Sequence, residues 1–187
     1  VERIDGTNLL DFSSDSTHHR TVFTIAGSEL AIQNAILALA TVAAQNIDLR
    51  QHDGIHPRIG AIDVVPLVPL LGASLEQCIA LSHSLGKLLA ETLNIPVFLY
   101  ESSSSFTHRQ RLEQIRKGGF EQLAKKLRNT NWQPDYGPVR PHPSAGACVI
   151  GARKPLIAFN VNLKSHDLAI AQHIAKKIRS SKSWNRI

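Results

Sequence analysis

The sequence predicts an α+β domain, with a mixed sheet covered by helices on one face. Two observations lead there. Short apolar runs of strand length alternate with longer segments of helical period through most of the 187 residues. The first two strand candidates are joined by a polar loop alone, so they must pair antiparallel. No internal repeat interrupts this pattern.

Thr7 to Phe12 and Arg20 to Ala26 read as these first strands. Ser28 can cap a helix running to about Ile47, with Ile32, Ile36, Leu39, Ala43 and Ile47 on one face at spacings of four and three. The punctuated segment from Arg50 to Gly60 cannot be helical, and Ala61 to Leu71 then reads as a buried strand. Ser74 and Gln77 form a capping box, opening a helix that carries Cys78, Leu81, Leu85 and Leu88 on one stripe and ends near Asn94. The wholly apolar run Pro96 to Tyr100 predicts a central strand, and Ser102 to Ser105 a polar, mobile connection. Two short helices broken at Gly118-Gly119 follow, then a proline-rich irregular stretch from Asn131 to Ser144. Ala147 to Gly151 and Leu156 to Leu163 read as strands. Asp167 to Arg179 reads as a last helix with Ala171, Ile174, Ala175 and Ile178 inward.

Composition narrows the function classes. No apolar run approaches the ~20 residues that a membrane span needs, so no membrane partner is expected. No basic n-region followed by an apolar stretch opens the chain. Two cysteines, Cys78 and Cys148, make no disulfide framework and read as small core residues of a cytoplasmic protein. The net charge of +6 has cations late in helices and near the C-terminus, where they suit helix dipoles or draw in an anionic ligand. With only 5% aromatic residues and no aromatic stacking motif, a nucleic-acid partner is not expected. The chain holds no methionine and does not begin with one, which reads as a fragment or a processed chain.

The densest chemistry lies between Arg50 and Leu67, where two histidines, two arginines, two aspartates, two glycines and two prolines surround one short apolar run. His56, before Pro57, is held extended on a stiff loop at the mouth of a strand, and its free pKa near neutrality suits proton transfer. His52 and His56 are four apart, a spacing that invites a metal reading on a helix. Gly54 and Pro57 argue against a helix and no third ligand is near, so no metal is expected. Asp63 serves either to neutralise an arginine or to orient His56.

The segment His56 to Pro69 resembles the HPRxGAxDVxPxxP signature of the glutamate formiminotransferase family, in its N-terminal subdomain. Further segments extend the likeness in order: Asp15 to Gly27, Pro96 to Glu101, Leu112 to Leu123, Trp132 to Gly137, His142 to Gly146 and Gly151 to Leu163. About nine-tenths of the chain is covered.

The resemblance implies a ferredoxin-like α/β sandwich. It also implies folate-dependent formimidoyl transfer between N-formimidoyl-L-glutamate and tetrahydrofolate, a step of histidine degradation and one-carbon metabolism, with tetrahydrofolate as carrier and no metal. It assigns proton transfer to His56 and matches Gly137, Pro138, Val139, Arg140, Pro141, His142, Pro143, Ser144, Ala145 and Gly146 to the family's folate-binding loop. Arg20 and Arg58 would hold carboxylates of glutamate or folate through paired hydrogen bonds. Residues 1–180 would form the subdomain without the family's first strand and helix, and 181–187 a basic tail. A second lobe or a homodimer is the implied partner. Two departures stand out: Ile55 where the family often has Glu, and Ser13 where some members have Asp. These, with the missing segments, leave open an alternative, a non-catalytic folate- or partner-binding module.

Overall fold

The computed structural model describes residues 4–70, 72–156 and 163–178. They fall into two compact units, Val1–Pro155 and Leu156–Ile187.

In the first unit, β1 (Thr7–Asp15) and β2 (Arg20–Gly27) form an antiparallel hairpin. Its turn closes through the His19 amide, which donates to Ser16 O at 3.2 Å, with His19 at a φ of 49°. The hairpin is a sheet of its own, and its apolar side chains Leu10, Phe12 and Phe23 stay exposed.

Helix α1 (Glu29–Asn46) starts where expected, with the Ser28 hydroxyl accepting from the Ala31 amide. Its most buried residues are Ala31, Ala35 and Ala40, while Ile32 and Ile36 are partly buried and Ile47 is exposed. The expected stripe is therefore rotated. Small residues lie deepest: Ala40 joins the main core cluster, and Ile32 and Ile36 pack against that cluster from its margin.

Strands β3 (Asp63–Leu67), β4 (Val97–Leu99) and β5 (Cys148–Ala152) form a second sheet in the order β3-β5-β4, all parallel. Asp63, Cys148 and Val97 are aligned at its leading edge. Every residue of β5 is buried, as a central parallel strand requires. Helix α2 (Leu75–Leu93) covers one face, with Leu81, Leu85 and Leu89 packed on Leu67, Val97, Leu99 and Ile150. Full burial of each such side chain contributes about 1.5–3 kcal/mol. The capping box forms in full, and Asn94 ends the helix in the left-handed region.

The opposite face carries Phe98, Tyr100 and Val149. It is covered by Ile115 of α3 (Leu112–Arg116) and by Leu123 and Leu127 of α4 (Leu123–Leu127). The α+β sandwich stands. Its antiparallel and parallel pairings are distributed over two sheets, and short helices back the face opposite the long ones.

Four elements differ from expectation. Strand β4, expected at the centre of a sheet, lies at the edge of the parallel one, where helices on both faces rather than flanking strands account for its apolar run. The strand after the punctuated loop is only Asp63–Leu67, because Gly60 to Ile62 are spent in a turn and the proline-spaced run beyond Leu67 leaves the ladder. The serine run is no free linker: Ser103 is buried, and its hydroxyl accepts from Ser82 Oγ at 2.7 Å and from the Ala152 amide at 2.9 Å. In the second unit, α5 (Leu168–Ile178) has no buried residue; Ala171 and Ile174 are half-buried, Ala175 and Ile178 exposed. Most of the strand expected at 156–163, and the basic tail, lie outside the described residues. Among the described residues, no helix is long and apolar enough to cross a membrane.

Candidate active site

The loop from His52 to Ile62 is clamped between the hairpin turn and the leading edge of the parallel sheet. Gly54 sits against the turn so closely that a Cβ there would fall 2.6 Å from His18 O. The Ile55 amide donates to Thr17 O at 3.4 Å. This clamp brings two distant segments together. The Arg20 guanidinium donates to His56 Nε2 at 2.9 Å. The His18 ring stands edge-on to His56 at 5.9 Å, and His19 stacks on His52 at 4.4 Å.

Burial lowers the pKa of His56, and the neighbouring cations Arg116 and Arg20 lower it further, with Asp63 opposing in part. Burial also lowers His52, helped by Arg58 and His19. Both imidazoles are therefore neutral at physiological pH.

The rest of the loop is fixed from below. The Ala61 amide donates to Ala145 O and the Ala147 amide to Ile59 O, both at 2.9 Å. Gly60 approaches Ala147 so nearly that a Cβ would lie 1.6 Å from its carbonyl oxygen. Asp63, at a φ of 49°, accepts from the Ile59 amide at 2.9 Å and from the Arg116 guanidinium at 2.5 Å. Of the two roles open to it, direct pairing with an arginine is the one the geometry displays. Its charge still reaches His56, as the opposing effect on that pKa records.

His56 and Pro57 form one wall of a cleft of about 570 Å³. Leu112, Glu113, Arg116, Lys117, Gly118, Gly119 and Glu121 form the rest. The cationic turn is held in shape by Lys126, whose ammonium donates to the carbonyls of Gln114, Ile115 and Lys117. Desolvation brings the Lys126 pKa down to about 8.

Arg58 also reaches this wall, but its fork is filled: it donates to both carboxylate oxygens of Glu121, at 2.7 and 3.3 Å. The pairing holds the Glu121 carboxyl below its ordinary pKa.

The loop Gly137 to Gly146 runs along the leading edge of the same sheet. Tyr136 bridges Val97 at one end, and Gly146 bridges Gly60 at the other. Gly137 and Gly146 both have positive φ, and a Cβ on either would strike a carbonyl of the chain itself, Ile95 O or Ile59 O. Their close approach is thus to their own backbone. His142 exchanges both backbone hydrogen bonds with Gly146, and its Nδ1 accepts from the Ala145 amide at 3.0 Å. Ser144 O accepts from the Leu49 amide and Ala145 is buried. Arg140 and Val139 are exposed, and Arg140 has no ion pair among the described residues.

Sequence reasoning missed His18, His19, Arg116, Lys117 and Glu121 as parts of the site. Signals were present: two histidines directly before Arg20, and a cationic pair directly before a double glycine. His52 and His56 do not converge on a common point: one ring stacks on His19, the other accepts from Arg20. Among the described residues no group of three or more His, Cys, Asp or Glu is placed to hold a metal ion.

The model of the formiminotransferase domain, N-terminal subdomain, matches residues 1–153. Over 97% of its length the chain is 46% identical to a glutamate formimidoyltransferase of Streptococcus pyogenes. Over 88% it is 44% identical to the formimidoyltransferase-cyclodeaminase of Rattus norvegicus, and over 96% it is 40% identical to a glutamate formimidoyltransferase of Thermoplasma acidophilum. It spans 60% of the bacterial and archaeal relatives and 30% of the rat protein. The chain belongs to the formiminotransferase family, with residues 1–153 matching its N-terminal subdomain.

Proposed function

We propose that this chain contributes to folate-dependent formimidoyl transfer from N-formimidoyl-L-glutamate to tetrahydrofolate, with His56 as the general acid and base. The observation that carries the reading is the position of His56: a neutral imidazole on the wall of a cleft beside two cations, Arg116 and Lys117.

The chemistry needs such a group. A folate nitrogen attacks the formimidoyl carbon, and the electrons of its C=N double bond move to the imine nitrogen. In the tetrahedral intermediate the attacking nitrogen must lose a proton and the glutamate nitrogen must gain one. Cleavage of the old C–N bond then gives glutamate and formimidoyl-tetrahydrofolate. An imidazole neutral at physiological pH can take the first proton and return it as the second.

Lys117 suits a carboxylate of a glutamate moiety, Arg116 being already paired with Asp63, and the loop Gly137 to Gly146 offers Arg140 to the anionic tail of a folate. His142 contributes there chiefly by fixing its own turn. Arg58 is committed to Glu121, so its part is to shape the wall.

His56→Ala should lower the transfer rate by roughly 10²–10⁴-fold with an unchanged circular dichroism spectrum, whereas His52→Ala should do much less. A His56→Ala protein that retains its rate would remove this reading.

A further inference from the structure

The Nε2 atom of His56 is already occupied. Arg20, the first residue of β2, donates to it at 2.9 Å. An arginine has donors only, so the imidazole must present its lone pair at Nε2 and carry its hydrogen on Nδ1. A base whose lone pair is taken by a permanent cation cannot accept a proton there. Among the described residues, Arg20 meets this ring at Nε2, His18 stands at its edge, Arg116 and Asp63 act on it through space, and Glu113 and Lys117 line the same cleft. Asp63 and Arg116 are paired with each other. Arg20 is exposed, and among the described residues it has no carboxylate partner. Unlike Arg116, which Asp63 holds, Arg20 is free to swing.

We infer that Arg20 is a positioning residue that caps the His56 Nε2 lone pair in the free protein and releases it when a ligand carboxylate draws the guanidinium away. This rests on the reading of His56 as acid and base, and it adds a device that couples substrate arrival to the appearance of the base. A guanidinium prefers a carboxylate to a neutral imidazole, because the carboxylate offers two charged acceptors in matching geometry. The exchange also removes a cation from His56 and so favours its protonated form. The ring becomes more basic when a substrate needs it to be. The carboxylate can come from the glutamate substrate or from the glutamyl tail of the folate.

Nitrogen-15 spectra of the histidine rings of the full chain, taken well above the His56 pKa, report the tautomer directly. His56 of the wild type should be the Nδ1–H form, and Arg20→Gln should shift it toward the Nε2–H form that unconstrained histidines favour. L-glutamate, or tetrahydrofolate but not tetrahydropteroate, should move the wild-type ring the same way and leave Arg20→Gln unchanged. Whichever compound acts identifies the source of the carboxylate. Arg20→Lys, which keeps the charge without the fork, should fall between the two.

In turnover, Arg20→Gln should raise KM at least tenfold and move the acid limb of the pH profile upward. A wild-type ring that already matches Arg20→Gln, or that neither compound changes, would overturn the inference. Failure of the underlying reading is distinguishable, because it appears as transfer surviving His56→Ala.

Discussion

Arg109 is the side chain whose loss should cost this fold most for one charged residue. It is only 2% exposed. Its guanidinium donates to Asp135 Oδ2 at 3.0 Å, to Asn131 O at 2.9 Å and to Gln133 O at 2.7 Å, and it lies 4.4 Å from the centre of the Phe106 ring. Asp135, 15% exposed, also accepts from the Leu99 amide of β4. Arg109→Ala leaves that carboxylate with the Leu99 amide alone, removes the side-chain donor of Gln133 O, and leaves Asn131 O with only His108 Nε2. Breaking a buried ion pair in this way costs about 3–5 kcal/mol. At about 2–4 °C per kcal/mol for a chain of this size, the thermal midpoint should fall by roughly 6–20 °C. Urea titration of the two proteins checks the free energy. Arg109→Ala combined with Asp135→Asn should recover part of the loss. A single-mutant cost under about 1 kcal/mol, the range of an exposed pair, would refute the reasoning.

Gly60→Ala should abolish cooperative folding, because its Cβ would sit 1.6 Å from Ala147 O, whereas Gly72→Ala, with open space around it, should cost only the about 1–3 kcal/mol of a left-handed backbone. Thermal melts of the two variants separate a steric effect from a purely conformational one. The lowered pKa of His56 sets the pH response of turnover: the acid limb of kcat/KM should lie below the about 6.5 of an ordinary histidine, and a limb above it would contradict the burial and cation argument. The same shift has a stability sign. Because the folded state binds protons less readily than the unfolded chain at His52 and His56, their contribution is complete above about pH 6.5 and is lost as pH falls through the lowered values, which urea midpoints across that window should reveal.

The elements that were legible were those with a local cause. Ser28, Ser74 and Gln77 mark helix starts because capping is decided within four residues, and all three act as caps. The apolar run around Val97 announced a buried strand because a parallel strand is covered on both faces, but not its place: expected at the centre, β4 lies at the edge of its sheet, beside β5. Division of the strands between two sheets was not legible, since pairing partners are chosen by tertiary packing. The α1 stripe was misplaced for a related reason: apolar periodicity weighs isoleucine above alanine, but tertiary packing encloses the alanines at 31, 35 and 40 most deeply.

The site divides along the same line. His56 stood out because proline, glycine and charge crowd around it in one segment. Its partners did not, because Arg20 is 36 residues away and Glu121 lies 63 residues from Arg58. Arg58 illustrates the limit most clearly. Sequence identifies it as a cation beside a candidate base, free to bind a carboxylate, and only the fold reveals that Glu121 already supplies one. Arg20 carries the same label in the sequence and the opposite condition in the fold: its contact is a neutral imidazole, weaker than what a substrate carboxylate would offer. Two arginines with one sequence-level description therefore separate into a fixed strut and an exchangeable cap. What separates them is the charge of the group each one faces.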